Sequence, residues 1–118
     1  MKELIEKIAT ILYNKKANNI VALDVTELTV ITECMIIASG RSTMQVKALG
    51  EEVEDRLTEM GIEPARKEGY QDGKWIILDY GAILVHIFHQ EDRDFYRLDK
   101  LWETEDNRIA MPFENQED

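Results

Sequence analysis

The chain is short of the residues that build several classes of protein. Cys34 is the one cysteine in 118 residues, so neither a disulfide framework nor a cysteine-based metal cluster is available. Long apolar runs are missing. Stretches such as Met35–Ala38 and Ile83–Val85 fall far below the ~20 residues that cross a bilayer. Lys2, Glu3, Glu6 and Lys7 interrupt the apolar residues at the N-terminus, which reads as an amphipathic helix and not as a signal peptide. A reducing cytoplasm is therefore the expected compartment. Positive charge is scarce too: 14 Lys and Arg face 24 Asp and Glu, for a formal net charge of −10. Neutralising the phosphates of bare nucleic acid takes a basic stripe, and anionic membranes attract basic surfaces for the same reason. Both partners are disfavoured. What is present suits one folded domain with a single core: 44% hydrophobic and 32% charged residues at an ordinary domain length.

Periodicity supplies the elements. Leu4, Ile5, Ile8, Ile11 and Leu12 recur at spacings of three and four, predicting an amphipathic helix. The polar stretch Asn14–Asn19 ends it. Ile20–Val25 alternates as a strand, with Val21, Leu23 and Val25 on one face and Ile20, Ala22 and Asp24 on the other. Thr26–Glu33 leads to a second strand, Cys34–Ser39. After a turn at Gly40-Arg41, Ser42 and Gln45 have the spacing of a capping box. Val46, Leu49, Val53, Leu57 and Met60 continue a helix that Gly61 stops. Gly50 within it lowers helix propensity and is expected to permit close packing on the sheet. Ala65–Tyr70, Lys74–Asp79 and Ile83–His89 read as three strands, turning at Asp72-Gly73 and Tyr80-Gly81. A last helix, capped by Asp92, is expected from Arg93 to Trp102, with Phe95, Leu98, Leu101 and Trp102 as its apolar stripe. The pattern specifies a mixed-sheet α/β domain over residues 1–102. Residues 103–118 hold six acids and one base and are expected to form an acidic, flexible tail, although Ile109, Met111 and Phe113 could dock locally.

Few residues point to chemistry. Ser39-Gly40-Arg41-Ser42-Thr43 lies between a strand and a helix, where backbone N–H groups can hold an anion. No nucleotide fingerprint accompanies it, and Met44 stands where a nucleophile elbow needs glycine. A helix cap is the plainer reading. The strands offer one uniform aliphatic face (Ile83, Val85, Ile87, Ile76, Leu78) and one mixed face (Leu84, His86, Phe88, Trp75, Ile77, Asp79). If the mixed faces coincide, Asp24, Asp79 and His86 share one side of the sheet and could form a metal or acid–base site; partner-facing or structural roles are the plainer reading. His86 and His89, three apart on a strand, point to opposite faces. A nucleotidyltransferase would need paired strand carboxylates for its metals, but Asp24-Val25-Thr26 supplies one acid. Glu52-Val53-Glu54 has the spacing but lies on a helical pattern, as a solvated face. Among the aromatics, Phe95 reads as core. Tyr80, in a tight turn, and Tyr96, off the helix stripe, are expected to be exposed, as interface residues are.

Several segments in fixed order carry a likeness: Ile36-Ile37-Ala38-Ser39-Gly40, Glu68-Gly69, Trp75-Ile76-Ile77-Leu78-Asp79-Tyr80-Gly81, Val85-His86-Ile87-Phe88, and Arg93-Asp94-Phe95-Tyr96 with Leu98, Leu101 and Trp102. Together they resemble the ribosomal silencing factor S family, also called Iojap-like, from about Ile5 to Trp102. The resemblance implies a nucleotidyltransferase-like fold without the catalytic carboxylates, and so no enzyme and no cofactor. It implies binding to the large ribosomal subunit through its ribosomal protein number fourteen, a block on joining of the small subunit, and repression of translation when nutrients are scarce. A role in large-subunit assembly, and a homodimer when free, are also implied. Carried onto this chain, the binding residues are Trp75, Asp79, Tyr80, His86, Tyr96 and Trp102, with Trp75 and Tyr80 as anchors and Asp79 pairing with a base of the partner. Two positions depart from the family pattern: Glu33-Cys34-Met35 replaces an Asp followed by aromatics, and Ala82 replaces an acid.

Two other readings stand beside this one. A small nucleotide-binding or nucleotidyltransferase-like enzyme would use Ser39–Thr43 and Asp24, and lacks a second strand carboxylate. A dimeric interaction module in some other complex is the third. Half of the −10 charge falls in residues 103–118. The mildly acidic remainder suits a basic ribosomal protein and not a direct grip on RNA phosphates.

Overall fold

The computed structural model describes residues 1–114. Helix α1 spans Lys2–Asn14, and strands β1 (Asn18–Asp24) and β2 (Cys34–Gly40) follow. Helix α2 (Thr43–Glu59) precedes β3 (Arg66–Glu68), β4 (Trp75–Asp79) and β5 (Ile83–His89). Two short helices, α3 (Gln90–Tyr96) and α4 (Leu98–Trp102), and the strand β6 (Arg108–Ile109) follow. The expected mixed-sheet α/β architecture is present. The six strands lie in the order β3-β4-β5-β2-β1-β6. Among the described residues only β2 and β5 pair in parallel, joined by the crossover that contains α2; the other pairings are antiparallel.

Alternation along the strands divides the core in two. One face carries Ile20, Ala22, Cys34, Ile36, Ala38, Ile76, Leu78, Ile83, Val85 and Ile87. The apolar stripes of α1 (Ile5, Ile8, Leu12) and α2 (Val46, Leu49, Val53, Leu57) close over it. The opposite face holds a smaller cluster of Val21, Leu23, Val25, Met35, Ile37, Leu84 and Phe88. Among the described residues, the partly buried hydrophobics Trp75, Ile77, Leu98 and Trp102 are what packs against that cluster. A sheet with one fully layered face and one thinly covered face is thus built into the strand sequences.

The boundaries around α2 follow their signals with two changes. Ser42 Oγ accepts from the Gln45 N–H at 3.0 Å, as a cap should. The reciprocal bond lands one residue early, since Gln45 Oε1 accepts from the Arg41 N–H at 2.7 Å. Gly50 faces Tyr70 and not the sheet, for a Cβ there would lie 2.5 Å from the Tyr70 hydroxyl oxygen. That hydroxyl donates to Glu54 Oε2, and Lys67 Nζ pairs with Glu54 Oε1 at 3.0 Å. Glu54 therefore fastens the β3–β4 loop to α2 and does not lie on a solvated face.

Two expectations near the C-terminus are corrected. The single helix from Arg93 to Trp102 is two, broken at Arg97, which takes a left-handed conformation with φ 54°. Helix α3 begins three residues earlier, with His89 at its N-cap position and no cap from Asp92. The stretch expected as a flexible tail also packs as far as it is described. Arg108–Ile109 adds a strand to β1, Met111 and Phe113 are buried, and the Phe113 ring stacks on Tyr13 at 4.4 Å. Residues 115–118 lie outside the described residues.

Candidate functional site: the thinly covered sheet face

Strand register decides which sequence-selected residues meet. Trp75 lies opposite Phe88 and Ile77 opposite His86 on β4 and β5. His86 in turn lies beside Ile37 of β2. Trp75 and His86 therefore share the smaller-cluster face. Trp75 stacks on Phe88 at 4.8 Å and meets the Tyr96 ring at 5.2 Å. Tyr96 contacts Phe95 edge-to-face at 5.0 Å, a favoured aromatic geometry. Trp102 packs on the same cluster from α4.

His86 is buried and its protonation state is fixed by its neighbour. The Trp75 Nε1–H donates to His86 Nδ1 at 3.1 Å. Nδ1 is thus the acceptor, and the ring proton sits on Nε2. Among the described residues that buried Nε2 has no hydrogen-bond partner. Burial lowers the imidazole pKa to about 4, so the ring is neutral at pH 7.

An ion pair sets the position of the segment over this face. Arg93 is buried, and its Nη1 donates to the Asn19 carbonyl oxygen at 2.5 Å and to Ser39 Oγ at 3.3 Å. Its Nε and Nη2 bind the Asp99 carboxylate at 3.3 and 2.6 Å, a two-pronged pairing. The start of β1, the end of β2 and α4 are tied through one side chain. Between the two ends of this tie, the Arg97 reversal turns Phe95, Tyr96 and Leu101 outward: they are 77%, 53% and 72% exposed.

The structure separates the remaining sequence-selected residues. Asp79 sits at the end of the face, where its Oδ1 accepts from the Gly81 N–H at 2.8 Å and its Oδ2 pairs with Arg66 at 3.4 Å. Tyr80 is not the exposed residue expected. It packs against the helix-covered core, and its buried hydroxyl has no partner among the described residues. Burial, with Glu54 and Glu63 nearby, pushes that hydroxyl up to about 12. Asp24 is also displaced from the expected grouping. Its strand position pairs with Cys34 and alternates with the opposite, helix-covered face. Bonds from the Thr26 hydroxyl at 2.7 Å and the Thr26 N–H at 3.0 Å hold its carboxylate below the usual range. Asp24, Asp79 and His86 therefore do not form one site. No group of three His, Cys, Asp or Glu able to hold a metal occurs among the described residues. Cys34 is buried and its thiol is pushed up to about 12, chiefly by that burial, which leaves it a poor nucleophile.

Phe95, expected as core, and Leu101, expected on the apolar stripe of one helix, are both exposed, because the left-handed Arg97 between them breaks the continuous helix their spacing fits. Part of the donor set behind the anion reading of Ser39–Thr43 is engaged internally. Ser42 Oγ and Gln45 Oε1 occupy the Gln45 and Arg41 N–H groups, and Ser39 Oγ is buried between the Asn18 carbonyl and Gln90. The face can offer stacked aromatics, exposed aliphatics and a carboxylate at its edge, which is the chemistry of an interface.

The family model described as "Ribosomal silencing factor during starvation" matches residues 1–118. The ribosomal silencing factor RsfS of Bacillus subtilis is 34% identical over 101 residues, 86% of each chain. The protein of that name from Halalkalibacterium halodurans is 37% identical over 101 residues, with the same coverage. A crystal structure of a protein from Chromobacterium violaceum superposes with a TM-score of 0.83 at 31% identity, covering 94% of both chains.

Proposed function

The chain belongs to the family of ribosomal silencing factors, and from that premise we propose that it docks on the large ribosomal subunit through the thinly covered sheet face. The partner we infer is the large-subunit ribosomal protein number fourteen. The docked domain would then keep the small subunit from joining and lower translation when nutrients are limiting. The observation that carries this reading is the exposed fringe of Phe95, Tyr96 and Leu101 bordering Trp75 and Trp102. Exposed aromatic and aliphatic side chains on an ordered base are what interface hot spots are made of.

Each element has a part in such docking. Trp75 is fixed by Phe88 beneath it and by the His86 hydrogen bond, so little side-chain freedom is lost on binding. Tyr96 and Trp102 are held by the Arg93–Asp99 pair behind them. Asp79, 20% exposed at its side chain, could exchange its Arg66 contact for a base of the partner; exposed pairs of this kind are weak. Tyr80 is the exception. Its packing makes it a support for the Asp79 turn and not an anchor.

The inhibition needs no catalysis. A rigid body of 33 × 32 × 30 Å, seated where the two subunits meet, excludes the small subunit by volume alone. We read the fold as nucleotidyltransferase-like without working carboxylates, the chain as cytoplasmic, and the free protein as a homodimer whose contact competes with the ribosomal one. Light scattering during subunit joining tests the function. Large subunits preincubated with the protein should join small subunits to a lesser extent, in proportion to occupancy. Undiminished joining at saturating protein would exclude the mechanism.

A further inference from the structure

A second apolar feature lies away from the aromatic fringe. The loop between β1 and β2 carries Leu28, Val30 and Ile31 at its tip, 47%, 102% and 74% exposed. Loop tips are ordinarily polar, and branched aliphatics in full contact with water gain nothing for folding. Yet this loop is closely tied. The Val25 N–H donates to the Glu33 carbonyl at 3.0 Å, and the Leu28 and Thr29 N–H groups donate to the Val25 carbonyl. The Ile31 N–H donates to Thr29 Oγ1 at 3.1 Å, and Thr32 Oγ1 donates to the Gly81 carbonyl at 3.0 Å. The Glu33 N–H donates to the Ala82 carbonyl at 3.0 Å.

We propose that the Leu28–Ile31 tip is a separate docking element, one that inserts into an apolar pocket rimmed by lysine or arginine on a second protein of the large ribosomal subunit. This rests on the ribosomal reading above. Three observations carry it. The bonds that fix the loop keep its aliphatic side chains presented outward before any partner arrives, which reduces the ordering cost of insertion. Its charge is of one sign: Asp24, Glu27 and Glu33 flank the tip along the chain, and no Lys or Arg occurs between residues 17 and 40. Arg108, the base across the neighbouring cavity that Glu27 and Leu28 line, is engaged by Glu103 and Glu114. An acidic rim repels RNA phosphates and a second copy of the same loop, and attracts a basic protein surface. Finally, the loop is bonded to Gly81 and Ala82, the turn that follows Asp79. The tip therefore adjoins the Asp79 end of the sheet face, so that one seated molecule can use both.

The test compares Val30→Asp/Ile31→Asp with the wild-type chain on two targets, purified large subunits and isolated ribosomal protein number fourteen. Both side chains are exposed, so the variant should keep its thermal midpoint. Expected is a loss of about tenfold or more in affinity for large subunits, with affinity for the isolated protein unchanged. Equal affinity of variant and wild type for large subunits would overturn the inference and leave the ribosomal reading standing. Equal weakening on both targets would also overturn it, by placing the loop on the same protein as the sheet face. A photo-crosslinker at position 30 should label a ribosomal protein other than number fourteen; labelling of ribosomal RNA contradicts the proposal. Failure of the wild-type chain to bind large subunits at all would remove the ribosomal reading and this inference with it.

Discussion

His86 is buried, and its Nδ1 accepts a hydrogen bond from the Trp75 indole. A histidine on a mixed strand face invites an acid–base or metal role, and its actual partner is an indole N–H. The ring is held neutral by burial, which lowers its pKa from 6.5 to about 4. The unfolded chain therefore binds a proton that the folded chain refuses between those two values. Stability from this group is complete above about pH 6.5 and is lost as the pH falls toward 4, by up to about 3 kcal/mol. Urea midpoints measured from pH 7 to 4.5 should fall more steeply for the wild-type chain than for His86→Asn. Parallel profiles would mean that the ring is already solvated in the fold.

Helix α2 shows how an element can carry a residue against its own propensity. Gly50 costs helix stability, and the Tyr70 hydroxyl held by Glu54 occupies the space a methyl group would need. Gly50→Ala should therefore destabilise by about 1 kcal/mol despite the better helix former. In a Tyr70→Phe background the same change should be neutral or stabilising, and a double-mutant cycle by urea denaturation reads the difference. Additive effects would show that Gly50 does not answer to Tyr70. The sequence could announce α2, β5 and the division of strand faces because alternation and helical spacing are local. It could not announce that Tyr70 reaches across to Gly50, because that contact joins two elements whose relative placement no spacing encodes. The same limit explains the last helix. Phe95, Leu98, Leu101 and Trp102 fit one continuous stripe, whereas the Arg93–Asp99 pair is satisfied with Arg97 left-handed, and that turns Phe95 and Leu101 to solvent. Within the aromatic motif, register on β4 and β5 brings Trp75 and His86 to one face, and the turn after β4 carries Tyr80 to the other.

At the scale of the whole molecule, two layers are unequal. Helices α1 and α2 cover one face of the sheet, and the short α3–α4 segment borders the other. The chain beyond Trp102 strengthens the thick layer, since Met111 and Phe113 join the core beneath α1 and β6 extends the sheet beside β1. Composition alone makes that stretch look like solvent-exposed chain, because its six acids outnumber its few apolar residues; the spacing of Ile109, Met111 and Phe113 was the signal. Truncation after Trp102 should lower stability by about 3 kcal/mol or more, the scale of losing one buried aromatic, as read by a urea titration. An unchanged midpoint would restore the picture of a detached tail. The thin layer is the one we propose a partner covers, and its outermost side chains, Phe95, Tyr96 and Leu101, are exposed to solvent. Sedimentation of purified large subunits with Phe95→Ser/Tyr96→Ser/Leu101→Ser tests this most directly. The variant should keep the wild-type circular dichroism and thermal midpoint and remain in the supernatant, while the wild-type chain travels with the subunits. Co-sedimentation of the folded variant at wild-type stoichiometry would contradict docking through this face.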